Sequence, residues 1–440
     1  MRTDFDAVII GAGPAGATSA ILLARAGWSV ALVEKQRFPR RKVCGECIAA
    51  SNLPLLEALG IGTAFDAAAG PELRSVALMR GDEQVIADLP PAPHQKYRWG
   101  RALGRETLDT LLLEQARSAG ATVLQPWSVD AISGSVGDWH CLVHPVDDKG
   151  VGWVLRAPVV IAAHGSWEVL PCERASRRLT RHPSDLFAFK ANFRNSSLRE
   201  GLLPVLSFNG GYGGMVVAGG GVTTVACCIR ADRLESSRHH QPGARAGEVV
   251  ETLLRRECGG VREALEGATR QDTWLAAGPI DPGIRLGSVR GDTGIFRIGN
   301  AAGEAHPVIG EGMSMALQSA WLLCSRLLDG GRRGGGVDAD VMWQREAQQR
   351  YCAEWRFHFG PRLRLAAIFA SLAARPVSAS ALMSITKVWP GLLGIGARWS
   401  GKVGCVVDPA AIAASTTTTT DSAASITDPA FTSPAAIFER

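Results

Sequence analysis

Residues 4–34 read DFDAVIIGAGPAGATSAILLARAGWSVALVE, and their pattern decides the fold. Residues 5–10 are a short β-branched run, 14–26 a helical stretch and 29–34 a second strand, which together make a βαβ unit opening a parallel sheet. Between strand and helix stand Gly11, Gly13 and Gly16. The first allows a tight turn, the second lets backbone approach a pyrophosphate, and the third permits close strand-helix packing. The helix N-terminus, with Ala15 in its first turn, then faces the phosphates. Glu34 ends the second strand 18 residues beyond Gly16, where a carboxylate accepts both hydroxyl protons of a ribose and repels a ribose phosphate. Taken alone, this stretch specifies a dinucleotide and leaves FAD and NAD equally open.

Outward from it, the chain leaves the parallel sheet and comes back. A helix over 104–119, a strand at 121–125 and a fully apolar strand at 157–163 belong with the opening unit. Residues 76–100 and 171–280 alternate instead, with strands such as 203–208 and 213–229 broken by glycines, which predicts an antiparallel lobe. A strand at 294–298 and a helix at 312–329 return the chain to the first domain. The expected architecture is α/β: a discontinuous Rossmann-like domain (1–75, 101–170 and 281–330), a β-rich substrate lobe (76–100 and 171–280) and a C-terminal helical extension (331–407). Within the extension, a glycine-rich loop at 330–336 precedes helices at 338–358 and 361–374. From Asp408 onward Ala, Ser, Thr and Pro dominate, which predicts a disordered tail.

The chain's 440 residues, 46% of them apolar, support a large core. A net charge of +5 without basic blocks argues against nucleic acid. The ten cysteines lack the spacing of a disulfide framework, the N-terminus is a poor signal peptide, and no run of about 18 apolar residues occurs. A cytoplasmic protein is expected.

A second glycine-rich segment distinguishes the cofactor. Gly299-Asn300, Gly303, Pro307, Gly310, Gly312 and Met313 follow a strand and open a helix, so backbone N–H groups and the helix dipole converge on one place. Such a terminus stabilises negative charge on the edge of a reduced flavin, and Asn300 can hydrogen-bond a ribityl hydroxyl. Over about residues 5–330 the chain resembles the flavoprotein superfamily that contains geranylgeranyl reductases and single-component aromatic hydroxylases. The resemblance implies FAD as cofactor, with contacts from Arg105 at the helix start Gly104-Arg105-Glu106 and from Lys35, Val129 and Gly165. Two positions depart from the family pattern. Asn300 stands where the family has Asp, and His164-Gly165 where it has Asp-Gly, which leaves the mode of nicotinamide recognition open.

The run Arg41-Lys42-Val43-Cys44-Gly45-Glu46-Cys47 resembles the Lys-x-Cys-Gly signature of the geranylgeranyl-reductase branch, which implies that Cys44 and Gly45 lie by the flavin. Read from the residues alone, Cys44-x-x-Cys47 also fits a dithiol redox pair or half of a zinc site, and a wall of the flavin pocket is the favoured reading. No second Cys/His pair at zinc spacing exists, so no metal is expected. Tyr212 stands where prenyl reductases carry a Tyr-x-Trp-x-Phe-Pro segment, and only the Tyr is kept; the Trp-x-Trp-x-Ile-Pro signature of halogenases is missing. Tyr212 and Glu46 are the expected substrate-pocket residues. Among Glu46, His306 and Glu311, the titratable groups these motifs bring near the flavin, His306 is the candidate catalytic residue. Without a second nicotinamide domain, reducing equivalents would come from transiently docking NAD(P)H or from another protein. Residues 361–407 hold six Lys/Arg and no acid, which suits a peripheral membrane contact or a basic flank packed on the cofactor lobe.

The reading is an FAD-dependent monooxygenase that uses NAD(P)H and O2 on an aromatic or polyketide-like small molecule. Its rivals are saturation of isoprenoid double bonds and a non-catalytic electron carrier. Oligomeric state is not legible.

Overall fold

The computed structural model describes residues 2–94, 96–148, 150–166, 168–172, 182–286, 294–329 and 337–399. The opening unit forms as its pattern dictates: strand Ala7–Ile10, helix Pro14–Arg25, strand Val30–Val33. Both strands are buried throughout, as continuous β-branched runs covered on two faces must be. They sit in a parallel five-stranded sheet ordered Phe296–Arg297, Val159–Ala162, Ala7–Ile10, Val30–Val33, Thr122–Leu124. Alternate side chains serve two cores. Ala7 and Ile9 pack beneath helices Pro14–Arg25, Arg105–Ser118 and Gly312–Asp329, while Val8 and Ile10 pack against an antiparallel sheet of Trp127–Ser135, Asp138–Pro145 and Trp153–Ala157. Ala7–Ile10 is central, so chain crossing to either side leaves a crevice at its C-terminal end, where Gly11 begins.

The second lobe is an eight-stranded sheet. Its path runs Thr269–Arg270, Leu186–Arg194, Thr223–Arg230, Gly211–Val217, Leu202–Phe208, Ser75–Arg80, Glu83–Asp88, and Leu275–Ile280 also pairs with Leu186–Arg194. All pairs are antiparallel except Leu202–Phe208 with Ser75–Arg80. The stretch expected as one strand at 213–229 is a hairpin. Gly220 and Gly221 take left-handed φ values of 65° and 69° and reverse the chain between Val217 and Thr223. One face of the sheet is closed by helices Ala246–Glu257 and Gly259–Ala264. The other faces the glycine turns.

Two further expectations are corrected. The return strand is only Phe296–Arg297 rather than 294–298. The helices expected at 338–358 and 361–374 are one helix, Val337–Ala374, running through Pro361. Pro361 lacks an N–H and strains the preceding turn, but the fully buried Tyr351, Trp355 and Phe359 fix the helix on the core just before it. Helices Pro376–Val388 and Gly391–Trp399 follow. The glycine-rich loop at 330–336 and the tail from Asp408 lie outside the described residues.

Candidate active site

Gly11 has φ +100°, and a Cβ there would lie 2.6 Å from the Ala163 carbonyl oxygen. A Cβ on Gly16 would stand 1.8 Å from the carbonyl oxygen of Gly11, so the helix rests directly on the turn. Glu34, 5% exposed, accepts the Ala12 N–H on Oε2 and the Gln36 N–H on Oε1, both at 2.8 Å, with Arg40 at 3.7 Å. Each carboxylate oxygen keeps a lone pair for another donor.

The second glycine segment meets the first. A Cβ on Gly299 (φ +57°) would be 3.1 Å from the Ala15 methyl group. Asn300 donates to Ser166 Oγ at 2.8 Å, and its carbonyl accepts from Arg285 at 2.7 Å. Gly310 (φ +65°) closes the short turn Pro307–Ile309, and Gly312 starts the long buried helix Gly312–Asp329.

Both segments line one cavity of about 850 Å³. Gly13, Ala15, Cys44, Gly45, Arg105, Gly165, Gly299, Asn300, Pro307, Gly310, Gly312 and Met313 form its walls, as do Glu46 and Tyr212. Other expected cofactor residues lie elsewhere. Gly11 and Gly16 shape the turn, and Glu34 lies behind it. Lys35 pairs with Glu168 at 2.6 Å, and Val129 packs on the opposite side of the parallel sheet. Glu311, fully buried, lies 3.6 Å from Arg362 and is not on the cavity wall.

Arg105 is held by a bidentate bond to Asp109, 2.7 Å on each arm, and their mutual attraction keeps the guanidinium charged despite burial. Glu46 proves to be an anchor rather than an available acid. It adopts φ +59°; its Oε1 accepts from Lys190 Nζ and, at 3.1 Å, the Arg105 N–H, while Oε2 accepts from Thr224 Oγ1 at 2.5 Å. Lys190, with no exposure, had no signal in the sequence, because its partner is 144 positions away. Lys42, quoted in the Lys-x-Cys-Gly run without a role, also lines the cavity. Burial first, then Arg105 and Arg40, push its amine down to about 8. Cys44 and Cys47 are both thiols, and among the described residues no His/Cys/Asp/Glu group is arranged to hold a metal.

Tyr212 and His306, expected separately as pocket wall and catalytic group, are brought together: the tyrosine hydroxyl lies 3.3 Å from His306 Nδ1. Burial lowers the imidazole's pKa and raises the phenol's, so both are neutral near pH 7. Both ring nitrogens of His164 are buried. Burial, reinforced by Arg297 and Arg285, pushes it down to about 4. Beyond this polar end the cavity turns aliphatic: Val76, Leu78, Leu203 and Val205 from the eight-stranded sheet face Leu382, Leu392, Leu393 and Ile395 from the last two helices.

A model of the FAD binding domain family matches residues 4–336. A tryptophan 2-halogenase of Chondromyces crocatus is 35% identical over 118 residues, 27% of this chain and 22% of that protein. The chain thus spans about a fifth of that relative. A menaquinone reductase of Mycolicibacterium smegmatis is 26% identical over 367 residues, covering 80% of this chain and 82% of the other. Among solved structures, PqsL of Pseudomonas aeruginosa, described as a probable FAD-dependent monooxygenase, superposes with a TM-score of 0.64 at 18% identity, covering 87% of this chain and 100% of that one.

Proposed function

Because this chain belongs to the FAD-binding domain family, we propose that it is a monooxygenase in which reduced FAD and O2 deliver one oxygen atom to an aromatic or polyketide-like small molecule. The residues present fit the cofactor. The turn at Gly11–Gly16 has no room for a side chain at its two packing positions, and Lys42 and Arg105 bring positive charge to the wall beside it. Glu34 has acceptor capacity left for a ribose. When bound, FAD supplies the two-electron and oxygen chemistry, and the chain's own task is to orient the substrate, exclude water and move protons. A transient NAD(P)H donor completes the reaction.

The observation that carries this reading is Tyr212 on the cavity wall, with its hydroxyl 3.3 Å from Nδ1 of His306, which stands behind that wall. A neutral imidazole behind a neutral phenol forms a path by which a substrate hydroxyl can lose its proton and so become electron-rich for oxygenation. The aliphatic half of the cavity accommodates an apolar portion of the same substrate. The neighbouring halogenase reading lacks its Trp-x-Trp-x-Ile-Pro signature in this sequence.

A second reading, saturation of a carbon–carbon double bond, is favoured by the Lys42-to-Gly45 run that resembles the geranylgeranyl-reductase branch, and the menaquinone reductase related across 80% of the chain is likewise named a reductase. There the same pair would donate a proton. A visible spectrum with mass analysis of the released cofactor tests FAD. NAD(P)H-dependent oxygen uptake with product mass then decides the reaction: an added oxygen supports oxygenation, and saturation under anaerobic conditions overturns it. Tyr212→Phe and His306→Gln should each retain FAD and lose roughly 10²- to 10⁴-fold in turnover; unchanged turnover removes the pair from the chemistry.

A further inference from the structure

Helix Pro376–Val388 is apolar on two opposite faces. Ala379, Met383 and Thr386 are buried, with Leu382 on the cavity wall, and they hold the helix on the protein. The other face points to solvent. It carries Val377 at 85% exposure, Ile385 at 51% and Val388 at 74%, followed by Trp389 at 68%. Val377, Ile385 and Val388 fall on one side of the helix at helical spacing, with the small Ala381 and Ser384 between them, so they form one stripe. The preceding helix, bent by 102° from this one, adds exposed Ile368 and Leu372 before the junction. A water-facing stripe of this kind is unfavourable unless something covers it.

Charge identifies the cover. Residues 363–399 contain Arg364, Arg375, Lys387 and Arg398 and no Asp or Glu. Lys387 pairs with Glu83, while the exposed Arg364, Arg375 and Arg398 make no ion pair among the described residues. No single helix among the described residues is long and apolar enough to cross a bilayer. An apolar stripe with a terminal Trp, flanked by unpaired arginines, matches the interface of an anionic bilayer, with the stripe in the acyl boundary and the guanidinium groups among the headgroups.

We infer that the exposed stripe Val377, Ile385 and Val388, with Trp389 at its end, docks the protein on an anionic phospholipid surface. The inner side of the same helix lines the aliphatic half of the cavity, so docking brings that half next to the bilayer. The inference holds whichever reaction the cavity hosts.

The test is sedimentation of the full-length, FAD-loaded protein with phosphatidylglycerol-containing vesicles and with phosphatidylcholine-only vesicles. Wild type should bind the anionic vesicles, and added salt should weaken binding, because exposed charges are screened. A Val377→Ser/Ile385→Ser/Val388→Ser variant should bind at least about tenfold more weakly, as should a separate Arg364→Gln/Arg375→Gln/Arg398→Gln variant. Flavin absorbance and melting temperature equal to wild type establish that each variant is folded. No binding of wild type to anionic vesicles overturns the inference, as does equal binding by both folded variants. So does a wild-type dimer that the Ser variant converts to a monomer, since the stripe would then be covered by a second copy.

Discussion

Glu34 illustrates what a single residue must satisfy here. Glu34, 5% exposed, accepts two backbone N–H groups, and those donors fix its direction. Glu34→Ala should weaken FAD binding by about 10- to 150-fold, the worth of a hydrogen bond to a charged group, as read by flavin fluorescence titration; unchanged affinity removes its ribose role. His164 carries a different expectation. Its folded pKa, about 4, lies below the ordinary 6.5, so between these values the unfolded chain binds more protons than the folded one. Stability from this group is present in full above pH 6.5 and falls away toward pH 4, by roughly 3 kcal/mol at most. His164→Asn should flatten that stretch of a urea-midpoint profile; an unchanged slope refutes the assignment. Glu34 was legible because spacing along one βαβ unit places it. The Tyr212–His306 contact was not, since it depends on how two distant segments converge.

At the scale of elements, the two glycines of the first turn do different work, and the difference is measurable. Gly16→Ala places a methyl group against the Gly11 carbonyl and must push the helix off the strand. A loss of about 1–3 kcal/mol in stability together with loss of flavin is expected. A Cβ on Gly13 meets only Arg105 Nη2, at 3.9 Å, an ordinary contact. Gly13→Ala should therefore melt like wild type while binding FAD more weakly, because the added methyl faces the cavity. Equal melting temperatures for the two variants would contradict this division. The parallel strands were readable because burial on both faces leaves uninterrupted β-branched runs. The hairpin at Gly211–Arg230 was obscured because glycines stand inside its first strand, at Gly213 and Gly214, as well as at its turn. Pro361 misled because a buried aromatic series outweighs one missing hydrogen bond.

Across the whole molecule, the Glu46–Lys190 pair ties the cofactor-side loop and the start of helix Arg105–Ser118 to the eight-stranded sheet. Removing one member leaves the other charge buried. Lys190→Met should cost about 3–5 kcal/mol, and Lys190→Met/Glu46→Gln should recover part of it, as read by denaturant titration; no recovery would show that packing rather than charge is at stake. This link joins residues far apart in sequence, which is why the two lobes were legible and their junction was not. The parallel sheet has a further consequence, in the order of synthesis. The edge strand Phe296–Arg297 pairs with Val159–Ala162 and is continuous with the second glycine turn. A nascent chain that has released only its first half therefore carries the phosphate turn with an open sheet edge beside it. A cavity whose walls include residues 299–313 is complete only after more than three hundred residues have left the ribosome, and until then the open edge is exposed to mispairing.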